Sequence, residues 1–244
     1  MNLYRMNYRK KLIFVFCLNL FAGLLFSQDS KVLLDKIKEK YSSIIDYQAD
    51  INIRINVDFI SIPEKKARIY YKKPNLFKYE ADDFIMLPKK GLNFSINEIL
   101  SINYSYLNAG VQNINNIKTE IIKIIPLESD YEIILATLWI DKSNTRVIRA
   151  EVNTKKNGTF IIDLAYFKPD DILPATLKIT FDVTYIDIPF GFLLETGGEV
   201  FNKKNDISKS EGTVIINYSN YIINSGLNDS FFKEQKKKKN AKIK

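Results

Sequence analysis

The chain has 244 residues, with 36 basic and 28 acidic side chains, one cysteine and no histidine, for a formal charge of +8 at pH 7. Without histidine, neither a Ser-His-Asp nor a Cys-His arrangement can be assembled, and zinc loses one of its favoured ligands. The positive charge lies at the two ends: residues 1–27 supply +4 and residues 233–244 supply +6, so residues 28–232 hold 25 basic and 27 acidic side chains. A nucleic-acid reader needs its basic groups on the folded surface, and this body has no such excess.

In chain order, Arg5, Arg9, Lys10 and Lys11 precede an apolar run over 12–26 that ends at Ser27-Gln28. A basic start, an apolar core too short to span comfortably and a small residue before a polar segment predict a secretory signal peptide over 1–27. An uncleaved membrane anchor is the competing reading. Cleavage after Ser27 removes Cys17, so the mature chain carries neither thiol nor imidazole. Phe14-Val15-Phe16 lacks the small residues of a lipidation box, which predicts a soluble periplasmic product stabilised by apolar burial without disulfides.

Residues 28–232 read as one domain, opening on a helix that Asp29 or Ser30 can cap. Leu34, Ile37, Tyr41 and Ile44 form its apolar stripe, and Lys36, Lys38 and Lys40 lie off it. From Ile51 to Phe59 the period changes to two, with every odd residue apolar, as in a half-buried antiparallel strand. Further strands are predicted over Ala67–Lys72, Leu76–Ala81, Ile117–Ile125, Tyr131–Asp141, Arg146–Asn153, Thr159–Phe167, Leu177–Tyr185 and Val214–Ser219. Turns fall at Lys73-Pro74-Asn75, Asp141–Asn144 and Lys155–Gly158, and loops at 87–91, 188–191 and 202–212. The asparagine-rich stretch 92–116 shows no clear period, beyond a short helical segment near Ser95–Ile102. The fold class this predicts is α+β: one large curved antiparallel sheet forming a half-open β-barrel covered by a few helices.

Few chemistries survive this composition. Gly197-Gly198 is an isolated pair and reads as a turn. The carboxylate pairs Asp82-Asp83 and Asp170-Asp171 sit beside turns, where aspartate is favoured for geometry, and neither belongs to a calcium-ligand loop. A Ser–Lys dyad is compatible with the composition, but no motif points to one. The expectation is a binding protein with no catalytic residues, no metal and no cofactor.

A curved sheet with a helix across its mouth encloses a space lined by alternate residues of each strand. The candidate wall is Ile53, Ile55, Val57, Phe59, Phe77, Tyr79, Phe160, Ile162, Ile179 and Phe181, with Leu34 and Ile37 on the helical lid. Ile51, Leu164, Tyr166, Leu177 and Val183 share the inward parity. These residues fill a core, or they line a cavity for an apolar ligand.

The segment Tyr70-Tyr71-Lys72-Lys73-Pro74-Asn75-Leu76-Phe77-Lys78-Tyr79-Glu80 resembles the periplasmic outer-membrane lipoprotein carriers, the LolA-like family. The likeness lies in an apolar strand, a basic-basic-Pro turn and an aromatic-rich strand after an opening helix, and it extends to the ending Tyr218–Phe231. It implies an incomplete barrel closed by helices, whose cavity takes a lipoprotein's acyl chains and delivers them toward the outer membrane. It also implies inner- and outer-membrane partner proteins. Lys73, at the cavity mouth, stands where typical carriers have arginine; it keeps the charge and loses the planar fork. A lipid-binding or envelope-stress sensing module of the same fold is the alternative. A monomer is expected, with residues 233–244 forming a disordered lysine tail that touches anionic membrane surfaces weakly, at about 1 kcal/mol per lysine.

Overall fold

A computed structural model describes residues 29–57, 60–74, 76–81, 96–183, 199–200 and 211–233. The signal segment with Cys17, Phe59, Asn75, Asp82-Asp83, Gly197-Gly198, the loops at 87–91 and 188–191, most of the 202–212 loop, and the tail beyond Lys233 lie outside these residues.

Helix α1 covers residues 29–42. Its stripe buries Leu33, Leu34 and Ile37, and Ile44 is buried just beyond its end. Asp29 and Ser30 lie inside the helix and do not cap it. Tertiary partners take their side chains: Asp29 pairs with Lys142, and Ser30 Oγ donates to Glu120 Oε1 at 2.8 Å. Asn108 Nδ2 reaches both Ser30 Oγ and Glu120 Oε1 at 2.7 Å, so a part-buried polar cluster fixes the start of α1 on the sheet.

The strands are β1 (Asp46–Val57), β2 (Ile60–Ser61), β3 (Lys65–Lys72), β4 (Leu76–Glu80), β5 (Tyr104–Ile114) and β6 (Ile117–Pro126). They continue as β7 (Ile133–Asp141), β8 (Arg146–Thr154), β9 (Thr159–Ala165), β10 (Thr176–Asp182), β11 (Glu199–Val200) and β12 (Glu211–Ile223). Helix α2 (Ile96–Ser101) lies between β4 and β5, and the short helix α3 (Asp229–Lys233) follows β12. Every described pairing is antiparallel, and the main path runs β4-β3-β1-β12-β10-β9-β8-β7-β6-β5, with β2 and β11 a short ladder beside β1. Strands β4 and β5 end this path and do not pair with each other, so among the described residues the curved sheet stays open.

The alternation of β1 is realised: Ala49, Ile51, Ile53 and Val57 are buried, and Arg54 and Asp50 make outer-face ion pairs with Glu64 and Arg68. Ile122 and Ile124 of β6 stand opposite Leu138 and Ala136 of β7, which oppose Ala150 and Val152 of β8. All six are fully buried. Ile96, Ile99 and Leu100 of α2 join α1 on the same core, so two helices cover the inner face.

The predicted strand order along the chain is observed, with β5 and the two-residue strands β2 and β11 added. The asparagine-rich stretch contains β5, an edge strand. An edge strand with much of both faces exposed has no reason to alternate, which hides it from periodicity. Its turn was nevertheless marked: Asn115 and Asn116 have φ of 49° and 64°, the backbone of a two-residue primed hairpin turn, which asparagine tolerates. The Asp141–Asn144 turn is built on the Asp141 carboxylate, which accepts from the amides of Ser143 and Asn144 and from Arg146 Nε.

Gly212 shows how tightly one end of the barrel is filled. A Cβ there would lie 2.5 Å from Cε2 of Phe181, its cross-strand partner. Gly212→Ala is therefore expected to cost about 1–3 kcal/mol by overpacking. Urea denaturation checks this; an unchanged midpoint contradicts the fit of Phe181 against the bare backbone.

Candidate functional site

A cavity of about 160 Å³ opens between the C-terminal half of α1 and the sheet. Tyr41 and Ile44 roof it, Tyr47 and Ile51 come from β1, Ile69 and Tyr71 from β3, and Phe77 and Tyr79 from β4. Ile96 and Asn97 of α2, Ile162 and Leu164 of β9, Leu177 and Ile179 of β10, and Ile216, Tyr218 and Tyr221 of β12 complete it with Leu173 and Pro174. Among the described residues, no charged side chain lines it.

The position of the cavity follows from register. Val57 pairs with Gly212, Gly212 with Phe181, and Phe181 with Phe160, so one transverse row closes that end of the barrel. The Phe160 and Phe181 rings lie 6.3 Å apart there, and both are buried. At the other end, Ile51 pairs with Tyr218 and Leu177 with both Leu164 and Ile216. Here the Tyr47, Tyr218 and Tyr221 rings border the cavity.

The candidate wall therefore divides. Phe77, Tyr79, Ile162 and Ile179 line the cavity. Ile53, Val57, Phe160 and Phe181 are buried in the solid core beyond it, with Ile55 partly buried against the same cluster. Leu34 and Ile37 pack in that core beneath α1 and do not reach the cavity; the lid residues that do are Tyr41 and Ile44. Phe59 lies outside the described residues. Inward parity told which face each residue takes, whereas its level along the barrel needed the pairing register.

Periodicity marked Tyr41 and Tyr79 but missed Tyr47, Tyr71, Tyr218 and Tyr221 as lining residues. Phe77, Tyr71, Tyr47, Tyr221 and Tyr218 form a continuous chain of ring contacts with centroids 5.0–5.8 Å apart. Such contacts add about 0.5–1.5 kcal/mol each beyond burial. Burial raises the phenol ionisation of Tyr41, Tyr71 and Tyr79, and raises that of Tyr47, Tyr166, Tyr218 and Tyr221 further, with neighbouring phenols adding to it. Tyr41 and Tyr166 share a 3.2 Å hydrogen bond, which joins α1 to the residue just after β9. The visible signal was Tyr218 and Tyr221 near the chain end, three residues apart on a strand that a bulge reshapes between Gln48 and Asp50 of its partner.

Lys73 lies in the turn between Tyr71 and Phe77, two residues that line the cavity. Its Nζ donates to the Ser42 carbonyl at the end of α1, its amide to the Ile45 carbonyl at 2.9 Å, and its peptide bond to Pro74 is cis. The same corner carries a C-terminal strap. The buried Asp46 carboxylate accepts from the amides of Ser225, Gly226 and Leu227 and from Ser225 Oγ at 2.8–3.2 Å. Farther on, Phe231 sits 4.8 Å from Tyr70 with Lys78 Nζ 3.6 Å over its ring, and Asp229 pairs with Lys72 at 2.6 Å. Asp171 accepts from the Lys168 amide at 2.8 Å, which gives the Asp170-Asp171 pair its turn role.

An open, curved antiparallel sheet wrapped on an apolar cavity and roofed by helix α1 defines a half-open barrel. No protein-family model and no curated protein sequence matches the chain. Among solved structures, a DUF1329 family protein from Desulfovibrio piger aligns at 13% identity over 86% of this chain and 98% of its own, with a TM-score of 0.54. A domain assigned to outer-membrane lipoprotein sorting, from Vibrio parahaemolyticus, aligns at 12% identity over 83% of this chain and 96% of its own, with a TM-score of 0.51. These likenesses establish the fold: the chain has the architecture that the Tyr70–Glu80 resemblance implies.

Proposed function

We propose that this chain is a periplasmic carrier that takes a lipoprotein's acyl chains into the tyrosine-lined cavity and delivers them toward the outer membrane without covalent chemistry. The observation that supports this most is the cavity itself, apolar and with no charged side chain among its described lining residues. Such a space offers nothing to a charged metabolite, whereas each methylene buried there contributes about 0.8 kcal/mol. The predicted signal peptide would place the protein in the periplasm. Client transfer would then engage partner proteins of the two membranes, with the lysine tail adding weak contact with anionic lipid.

At about 160 Å³ the cavity is smaller than the roughly 300–1,000 Å³ of typical ligand pockets. Loading therefore requires the roof to move. The C-terminal half of α1 is the element to displace, because Tyr41 and Ile44 cap the cavity there while the Ser30–Asn108–Glu120 cluster holds the other end.

Native mass spectrometry of the protein expressed with its signal segment tests the reading. The expected result is a bound mass that detergent removes and that Leu164→Trp, which fills the cavity, reduces at least about tenfold. A diacylated peptide among the released species supports the carrier; free phospholipid alone favours the lipid-binding module. A clean unliganded mass under gentle conditions overturns both.

A further inference from the structure

The six tyrosines that line the cavity are not equivalent. Tyr41 is hydrogen-bonded to Tyr166, Tyr71 donates to the Pro74 carbonyl at 3.4 Å, and Tyr221 donates to the Pro174 carbonyl at 2.8 Å. For the hydroxyls of Tyr47 and Tyr218 there is no hydrogen-bond partner among the described residues. No fully buried side-chain oxygen or nitrogen in the described residues lacks a partner, so these two oxygens must touch open space. Both also lie deep enough for burial to raise their ionisation, and Tyr218 adds to the effect on Tyr47. Both residues are half-buried, and the space both line is the cavity.

Two phenol donors in a space with no cation among its described lining residues select a particular acceptor. A carbonyl oxygen can take a hydrogen bond from either phenol without bringing charge inside. A carboxylate would arrive with its charge, and burying an unpaired charge is costly. Asn97, the amide among the described lining residues, is neutral, and Asp171 lies near enough to Tyr221 to add negative potential at that wall.

We propose that Tyr47 and Tyr218 donate hydrogen bonds to the carbonyl of a neutral acyl ester, so that the cavity selects esterified chains over free fatty-acid anions. This inference rests on the acyl-chain reading of the cavity. It assigns the ester group itself, and not only the alkyl end, to the interior.

The test is displacement of the neutral fluorophore N-phenyl-1-naphthylamine from the full chain at pH 8 by dodecane, methyl laurate and laurate. Methyl laurate should displace at a concentration at least about tenfold below that of laurate, and below that of dodecane. Lowering the pH until lauric acid is neutral should narrow the first gap. Tyr47→Phe and Tyr218→Phe remove only a hydroxyl and should each weaken the ester about threefold to tenfold, the range for one hydrogen bond, with dodecane unchanged. Equal displacement by all three ligands, or an ester affinity indifferent to both substitutions, overturns this inference and leaves the acyl-chain reading standing. Displacement by none of the three overturns both.

Discussion

Raising the pH past about 10 is expected to unfold this protein cooperatively, through the tyrosines around the cavity. In the folded state Tyr47, Tyr166, Tyr218 and Tyr221 hold their protons well above the ordinary phenol value, because burial penalises the phenolate. The unfolded chain releases those protons near pH 10. A group whose folded value is raised contributes stability that is fully present below the unfolded value and is lost as pH rises toward the folded one. Each such tyrosine forfeits about 1.4 kcal/mol per pH unit over that window, so four together remove roughly 5 kcal/mol between pH 10 and 11, comparable with the whole stability of a small domain. Absorbance at 295 nm and circular dichroism should change together, as a late step that follows gradual ionisation of the exposed tyrosines. Smooth titration of all tyrosines with the sheet intact would mean that water reaches the phenols freely. Bound acyl ligand should move the step to higher pH, which makes the same titration a binding assay.

The second large effect is expected at Asp46. Its carboxylate takes three backbone amides and one hydroxyl from Ser225–Leu227 while almost fully buried. Asn224, with φ of 56°, brings the chain round so that its side chain accepts from the Ile45 amide and donates to the Ser43 carbonyl. The strap thus closes on the junction of α1 with β1, next to the cavity roof. Asp46→Ala strands the three amides, each with a cost of about 1 kcal/mol or more, for a total near 3 kcal/mol. Asp46→Asn keeps an acceptor oxygen but turns an NH₂ toward the amide donors, and should cost about half as much. Urea denaturation gives the size, and cleavage by a protease within 224–233 reports strap release directly. Asp163→Asn, which breaks the more exposed Arg149 pair, is the control and should stay within about 1 kcal/mol. A strap equally protected in Asp46→Ala would show that its aromatic and lysine contacts hold it alone.

How much was legible varies by element, and the reasons are physical. The odd-even pattern of Ile51–Val57 survives because one face of β1 is dry and the other carries Arg54 and Asp50, paired in the open. The stripe of α1 was equally plain, since Leu34 and Ile37 recur at the helical period and both end up fully packed. β5 escaped notice because an edge strand is not obliged to alternate. Tyr47, Tyr71, Tyr218 and Tyr221 escaped for another reason. An aromatic at an inward position is the same letter whether it plugs a core, as Phe160 does, or walls a cavity, as Tyr218 does.

Asp46 shows the limit most clearly. In the sequence it is one acid after a helix end, and its partners lie 179–181 residues away. Sequence alone determined the fold class, the helix that covers the sheet, the inward side of β1, β4, β9 and β10, and the absence of histidine chemistry. Those properties depend on residue type and local period, which neighbouring residues carry. Tertiary structure decided which end of the barrel stays hollow, which phenols keep a free hydroxyl, and what holds the strap over the roof. Each of these depends on the register between strands distant in the chain. There a Val57–Gly212–Phe181–Phe160 row fills one level, and an Ile51–Tyr218 pairing leaves space at another.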